Sequence, residues 1–129
     1  MMMWKIYEFL DNRSDGIIET WLRQQKIQKP AIALFEQKLR LLQTAGPELP
    51  PGLLAHLGGC IYKLKVRAQG VQLRPMLCKG PIEDDTEFTL LIGAVERGNR
   101  LEPIDAQDRA EENRRIILAN PLRRRIYEL

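Results

Sequence analysis

The chain has 129 residues, of which 44% are apolar and 29% charged, and its formal net charge is +3. This length and apolar content predict one domain, spanning residues 1–129, whose core needs no disulfide or metal. The charge excess is too small to identify a nucleic-acid-binding protein. No apolar run is long enough to cross a bilayer. Two cysteines and an early charged N-terminal stretch favour a cytoplasmic protein with reduced thiols.

Acidic residues are unevenly distributed along the chain. Residues 1–48 carry seven Lys or Arg and six Asp or Glu, whereas residues 83–129 carry eight basic and eleven acidic residues. Residues 49–82 carry five basic residues and no acid. The middle third is therefore a block of one sign, and a phosphate backbone is the common cellular partner of such a block.

The N-terminal third of the sequence predicts one strand followed by two helices. Residues 3–11 are rich in aromatic and β-branched residues and end in a turn cluster. Residues 17–25 repeat apolar side chains at helical spacing, and a second helix begins near Pro30 and ends at Gly46. Because a short loop joins the two helices, we expect them to form an antiparallel pair.

The rest of the sequence predicts three strands and a final helix. Strands are indicated by alternating or continuous apolar residues, and the continuously apolar strand is expected to be buried on both faces. The elements are a loop at 47–59, strands at 60–67, 71–79 and 88–95, a helix at 103–120 and a basic tail at 118–129.

Short links between sequential strands favour antiparallel pairing. The predicted fold class is therefore α+β, with one twisted antiparallel sheet and the helix pair packed on one of its faces. The final helix carries a thin apolar stripe, formed by Ile104, Ala110, Ile117 and Leu118.

The turn of the basic hairpin decides which side chains share a sheet face. A loop of Gln69–Gly70, or a four-residue loop, aligns the apolar residues of both strands, and glycine supplies the positive φ of a tight turn. A three-residue loop would place Arg74 opposite Leu64 in the core, which is costly without a partner. In the favoured register Arg74 lies opposite Lys65 on the outward face, where like charges repel.

The favoured register gathers four cations on one face, and such a cluster is suited to bind a phosphate backbone. Two other interpretations stay open. The cations are simply solvated and protect a sheet edge, or acids such as Glu96 or the 83–87 loop fold over them as ion pairs. The four cations are Lys63, Lys65, Arg67 and Arg74.

The order of these motifs resembles the RelE/ParE toxin superfamily, in particular its HigB-like branch from phage and bacterial genomes. "IYKLKVR", "LRPMLCK" and "FTLLIGAVERGNR" resemble three successive strands of that family. Residues 7–11 and 17–45 fit the family's N-terminal half, and the resemblance covers roughly residues 4–118. It implies a RelE-like α+β fold with helices on one face of an antiparallel sheet.

The resemblance also implies a function. Most such toxins cut mRNA in the ribosomal A site without a metal or other cofactor, and an adjacent helix-turn-helix antitoxin silences them. Basic residues there hold the scissile phosphate and stabilise the charge that develops on it. By position, Arg74 matches the family's catalytic arginine, and Lys65, which lies opposite it, is the second residue expected to be catalytic. The implied RNA-binding residues are Lys63, Lys65, Arg67, Lys79, Arg97 and Arg100.

Two positions favour an alternative function. Where the third family strand often has His and Phe, this chain has Ile92 and Ala94. A proton carrier and a base-stacking ring are therefore missing from the family pattern. The alternative is a non-catalytic binding protein, either a ParE-like gyrase inhibitor or a phage-encoded interaction protein that retains only the antitoxin-binding surface.

Other residues that could carry chemistry are expected to have structural roles. His56 is expected in a loop near the sheet edge, and Tyr127 at the surface or in packing. The register places Cys60 and Cys78 on opposite faces, which makes a disulfide between them improbable. The tail arginines 123–125 are expected to be solvated, with phosphate contacts or partner docking as the alternative.

Overall fold

A computed structural model describes residues 3–48, 52–68 and 70–129, with the main chain alone described for residue 68. Within these ranges the chain forms three α-helices and ten strands. In chain order they are β1 (Lys5–Phe9), α1 (Ile17–Gln24), α2 (Lys29–Ala45), β2 (Leu54–Gly58), β3 (Ile61–Leu64), β4 (Val66–Ala68), β5 (Val71–Leu73), β6 (Met76–Lys79), β7 (Glu87–Ile92), β8 (Val95–Arg97), β9 (Arg100–Glu102), α3 (Ala106–Ala119) and β10 (Arg124–Ile126).

The strands form two sheets. The large sheet has six strands in the order β10-β1-β7-β6-β3-β2, and the small sheet has four in the order β4-β5-β8-β9. β1 runs parallel to β7, whereas the other neighbouring strands are antiparallel. The α+β class is confirmed, but the prediction of one antiparallel sheet is wrong.

Each of the three predicted long strands is divided between the two sheets. The breaks fall at Lys65, at Arg74–Pro75 and at Gly93–Ala94. Proline has no N–H to give to a ladder, which favours an interruption at Pro75. At Gly93 a Cβ would lie 1.9 Å from Cδ2 of Trp21, so the indole packs against the bare main chain. The alternating pattern was identified correctly, but it does not reveal that the chain bends.

Helices cover both faces of the large sheet. α1 and α2 bury one face in a core that includes Ile18, Phe35 and Leu39 from the helices and Leu64 and Phe88 from the strands. The two helices meet where Trp21 packs edge-on against Phe35, with 6.4 Å between the ring centroids.

The second core lies on the opposite face of the large sheet, beneath α3. Its buried residues are Phe9, Ile61, Met76, Cys78, Leu91, Ile92, Ala94, Ala106, Ala110 and Ile117. The hairpin face that was predicted to be open to solvent is thus covered at β3 and β6, and that prediction is wrong.

α3 lies within the predicted range, but only two of the four residues predicted to form its apolar stripe are buried. Ala110 and Ile117 are buried, as expected. Ile104 is 81% exposed because it precedes the helix, and Leu118 is exposed because it follows Ile117 around the helix. Ala106 takes the buried position at the helix start.

The prediction of a loop at 47–59 is wrong for residues 54–58, which form β2; residues 49–51 lie outside the described ranges. β2 pairs with β3 and is the outer strand of the large sheet. His56 is therefore an exposed edge-strand residue rather than a loop residue. Its ring lies 4.8 Å from that of Tyr62, measured between centroids.

The prediction that the arginines at 123–125 form a solvated tail is also wrong. Arg124 and Arg125 belong to β10, Arg123 precedes it, and contacts within the fold hold all three side chains. β10 pairs with β1 and is the other outer strand of the large sheet. Tyr127 is buried 6.2 Å from Phe35, measured between ring centroids. The packing interpretation of Tyr127 is confirmed.

Candidate functional site

The small sheet confirms the predicted register of the basic hairpin. Val66 pairs with Leu73, so the apolar residues of the two strands share a face. Gly70 has a φ of 80°, which suits a tight turn. Gln69, the other residue of the predicted loop, lies outside the described residues.

Arg74 does not point to solvent, although the register is correct. Its side chain is buried, with the residue only 8% exposed. Nη1 donates a hydrogen bond to the carbonyl oxygen of Leu73 at 2.9 Å, and Nη2 donates one to Oε1 of Gln72 at 2.5 Å. Nε lies 3.5 Å from Oε1 of Glu96, an ion pair without hydrogen-bond geometry.

Strand β8 explains this arrangement. The main-chain N–H of Arg74 bonds to the carbonyl oxygen of Ala94 at 2.8 Å, and Gln72 pairs with Glu96 across β5 and β8. Oε1 of Glu96 also lies 3.9 Å from Nζ of Lys63. The expectation that Arg74 faces outward without an acid is therefore wrong, and the alternative in which Glu96 pairs with the cluster is confirmed.

The other predicted site residues of the small sheet lie on two different faces. Arg67 pairs with Gln72 and shares the face of Glu96. Arg97 follows Glu96 in β8, so alternation turns it to the opposite face, where it lies beside the α1–α2 loop. Arg97 pairs with Arg100 across the β8–β9 turn, and its Nε donates to Oε2 of Glu102 at 3.0 Å.

Two further predicted residues, Lys65 and Lys79, lie outside the strands of the small sheet. Lys65 is at the bend between β3 and β4, where its main-chain N–H bonds to the carbonyl oxygen of Leu53 at 2.8 Å. Lys79 pairs with Phe88, which places it on the face of the large sheet that α1 and α2 cover. The fold thus brings Lys63, Arg67 and Arg74 together and separates them from Lys79, Arg97 and Arg100.

Two groups that could move a proton are poorly placed for chemistry at Arg74. Cys78 is buried beneath α3, and burial raises the pKa of its thiol to about 12. His56 lies on the edge strand β2, with Nε2 2.8 Å from the carbonyl oxygen of Gly59. Cys60 and Cys78 are both free thiols, as expected.

A groove of about 930 Å³ lies between α1, the start of α2 and β10. The sequence pattern did not predict this groove, because its lining residues come from the first quarter of the chain and from the last few residues. Its apolar lining consists of Leu22, Ile27, Ile32, Ile126 and Tyr127.

Glu8 lies at one end of the groove and is only 2% exposed. Its Oε1 accepts hydrogen bonds from the N–H groups of Ile18 at 3.0 Å and Glu19 at 3.3 Å, so it caps the N-terminus of α1. A Cβ at Gly16 would lie 2.4 Å from Cδ of Glu8, which explains the glycine. The sequence contains one local signal of this role. Glu8 follows Ile6 by two residues, so its carboxylate lies on the same face of β1 as a core side chain.

The charges around the groove are only partly paired. Nε of Arg125 donates to Oε2 of Glu8 at 3.2 Å, and its Nη2 donates to Oε2 of Glu19 at 2.6 Å. Glu128 also lines the groove. Three cations on the rim make no ion pair with any residue that the structure describes: Arg23, Lys26 and Lys29.

Neither a metal site nor a membrane span accompanies these features. Within the described ranges, no three His, Cys, Asp or Glu side chains are grouped to hold a metal ion. None of the described helices is long and apolar enough to cross a membrane.

Comparison with known proteins assigns no family. The sequence matches no model of a protein family, and a search of curated proteins finds no significant match. The resemblance to RelE/ParE toxins therefore stays a prediction from the motifs.

Proposed function

We propose that this chain is a non-catalytic binding protein of the RelE/ParE type rather than a ribonuclease. One observation carries the proposal: Arg74, the residue that matches the catalytic arginine, is buried and bound within the chain. Two of its nitrogens donate to Leu73 and Gln72, and its charge is offset by Glu96. Stabilising a cleaved phosphate requires donors aimed at an open position.

The positions of Ile92 and Ala94 support the same conclusion. Both are buried in the core beneath α3, where family members often carry His and Phe in the matching strand. Packed apolar neighbours leave neither a proton carrier nor a stacking ring at these positions.

The groove beside β10 supports a binding role. It combines an apolar lining with cations that make no ion pair within the described part of the chain, and such concave surfaces are typical of partner or ligand sites. A cognate antitoxin, gyrase or another protein partner is compatible with this role, whereas cleavage of ribosome-bound mRNA is not required for it.

A second candidate, the mRNA endoribonuclease, is favoured by one specific observation. Nε of Arg74 is buried without a hydrogen-bond acceptor, and Lys63 and Arg74 both face the same oxygen of Glu96. A phosphate that displaced the half-buried Glu96 side chain would meet two cations.

Expression in a bacterium separates the two candidates. If the chain only binds, neither the wild type nor Glu96→Gln cuts mRNA, as judged by mapping transcript ends. Growth arrest with altered plasmid supercoiling and intact mRNA supports binding to gyrase. If Glu96→Gln produces cuts in mRNA and Lys63→Ala in the same chain abolishes them, the nuclease is correct and the binding proposal is wrong.

A further inference from the structure

Among the described residues, no strand pairs with the outer side of β10, which is therefore an edge of the large sheet. The N–H of Tyr127 donates to the carbonyl oxygen of Ile6 at 2.9 Å, and the N–H of Leu10 donates to the carbonyl oxygen of Arg123 at 2.9 Å. Main-chain groups of an antiparallel strand alternate in direction. Those of Arg124 and Ile126 therefore point away from β1, toward the side where a further strand would lie.

The three arginines of this segment do not protect that edge. Charged side chains commonly prevent an exposed strand from pairing with another chain. Here each guanidinium is held by the fold instead of extending over the edge. The contacts are Arg123 with Leu10 and Asn12, Arg124 with Glu87, and Arg125 with Glu8 and Glu19.

The apolar groove lies directly beside the open edge. Arg125 and Tyr127 extend from β10 on the groove side, in register with Glu8 and Ile6 of β1. A strand added next to β10 would place every second side chain over the groove, because side chains alternate between sheet faces. Ile126 lies between these two residues, so its exposed side chain is on the opposite face of β10 and its main chain borders the groove.

The charges of the rim limit the chemistry of the occupant. Arg23, Lys26 and Lys29 line the groove and make no ion pair with a described residue, while Glu8 and Glu19 are already bound by Arg125. The one other acid of the lining is Glu128. An occupant with carboxylates near these three cations is electrostatically complementary to the rim.

We propose that an extended segment of a partner protein adds as a strand to β10 and fills this groove. The segment carries apolar residues at alternate positions, which contact Leu22, Ile27 and Ile32, and at least one acidic residue, which pairs with the rim cations. Strand addition of this kind derives affinity from main-chain hydrogen bonds and specificity from alternate side-chain pockets. This proposal rests on the proposed function, because it names the partner class of that binding protein.

Selection from a random twelve-residue peptide library displayed on phage, with the purified full-length chain as target, tests the proposal. Enriched peptides are expected to alternate apolar residues and to contain Asp or Glu. Calorimetry with a synthetic enriched peptide is expected to show about tenfold weaker binding to Arg23→Glu and to Lys29→Glu. Arg40→Glu, an equal charge reversal on the exposed part of α2 away from the groove, is the matched control and leaves affinity unchanged.

Lys29→Glu also separates binding from folding. Residue 29 is the first residue of α2, where a negative charge is favoured by the helix dipole. The variant is therefore expected to keep its melting temperature while it loses peptide affinity.

Peptide N-methylation tests the main-chain pairing. Methyl groups on the amides that face β10 are expected to abolish binding, and methyl groups on the alternate amides are expected to leave it intact. Three outcomes overturn the proposal. They are an equal loss of affinity from methyl groups on either set of amides, the absence of any enriched peptide, and tighter binding of decanoate than of any peptide. Decanoate represents a small apolar anion as the occupant. Cleaved mRNA in the expression experiment overturns the proposed function alone, whereas these peptide outcomes overturn only this inference.

Discussion

Two arginine-containing segments of this chain depart from their sequence patterns in the same way, although their acids come from different elements. The hairpin at 60–79 has the alternating pattern of a basic surface, yet Arg74 is buried beside Glu96. The segment 123–125 has the composition of a solvated tail, yet it forms part of β10 and its guanidinium groups bind Glu8, Glu19 and Glu87. The rim cations Arg23, Lys26 and Lys29 make no ion pair with a described residue, and they come from residues 20–35, which also contain no acid.

The difference teaches that the role of a cation is decided by which carboxylate the fold brings to it. The hairpin contains no acid of its own, but β8 supplies one from outside the hairpin. The C-terminal arginines meet acids in β1 and β7, which lie far from them along the chain. A lack of acids within a segment therefore does not by itself predict that its cations are free to bind a partner.

The largest effect that sharpens this comparison is expected from Arg124→Ala. The side chains of Arg124 and Glu87 are only 9% and 4% exposed, and the guanidinium also lies over the ring of Tyr7 at 3.8 Å. Removing one partner of a buried ion pair leaves an uncompensated charge and costs about 3–5 kcal/mol. Urea unfolding monitored by circular dichroism measures this loss.

The matched control is the double variant Arg124→Met with Glu87→Gln, which removes both charges and keeps similar volumes. It is expected to regain most of the lost free energy of unfolding, because no buried charge is left unpaired. If Arg124→Ala is as stable as the wild type, the segment is a solvated tail and the comparison fails.

Arg74→Ala is expected to have the next largest effect, and it tests the hairpin side of the comparison. Its removal leaves the carbonyl of Leu73 and the side chain of Gln72 without their donors, which costs about 1–3 kcal/mol. Arg67→Ala, in the same hairpin but exposed, is expected to stay within about 0.5 kcal/mol of the wild type. Equal stabilities of the two variants in urea would mean that Arg74 is as free as Arg67.

Alkaline pH tests two buried groups, the thiol of Cys78 in the hairpin and the hydroxyl of Tyr127, the residue that follows β10. Burial raises the pKa of Cys78 to about 12 and also raises the pKa of Tyr127. Above the thiol's ordinary value of 9.0 the unfolded chain loses a proton that the native chain keeps, so the free energy of unfolding falls as pH rises from 9 to about 12. The expected slope is about 1.4 kcal/mol per pH unit for each such group.

Cys78→Ala is expected to remove the slope that begins near pH 9, and Tyr127→Phe the slope that begins near pH 10. Urea unfolding at several pH values measures both. A Tyr127→Phe variant whose slope matches that of the wild type would indicate that the tyrosine hydroxyl is solvated.

The smallest effect is expected from Glu19→Gln. Its pair with Arg125 is largely exposed, at 61% and 44% of the two side chains, and pairs of this kind contribute about 0–1 kcal/mol. Glu8→Gln, which weakens the bonds to the α1 N-terminus and to the same arginine, is expected to cost more. Thermal unfolding of both variants provides the comparison, and a larger loss for Glu19→Gln would reverse the assigned roles.

Much of the fold could be predicted from residue spacing. The 3.6-residue period places α1, α2 and α3 within a few residues of their bounds, and the continuously apolar run at 88–95 contains the central strand β7. Gly70 and the matched apolar faces determine the hairpin register correctly. These features depend on neighbours along the chain, which a pattern records directly.

The site could not be predicted in the same way, because its contacts join distant segments. The approach of Glu96 to Arg74 requires the chain to bend at Pro75 and to start a second sheet. Glu8 of β1 caps the N-terminus of α1 and pairs with Arg125 of β10, so its contacts also join distant segments. A carboxylate at a core position of a strand is the one local signal of such a partner, since a buried charge needs a counterion.

The position of β1 also affects how the chain can fold during synthesis. β1 is inserted between β7 and β10, so in a growing chain it has no neighbour in the large sheet until residue 87 is made and no second neighbour until residue 124. Contacts of such long sequence separation form slowly. Before β7 is made, α1 and α2 are the helices available to cover Ile6, the fully buried apolar residue on their side of β1.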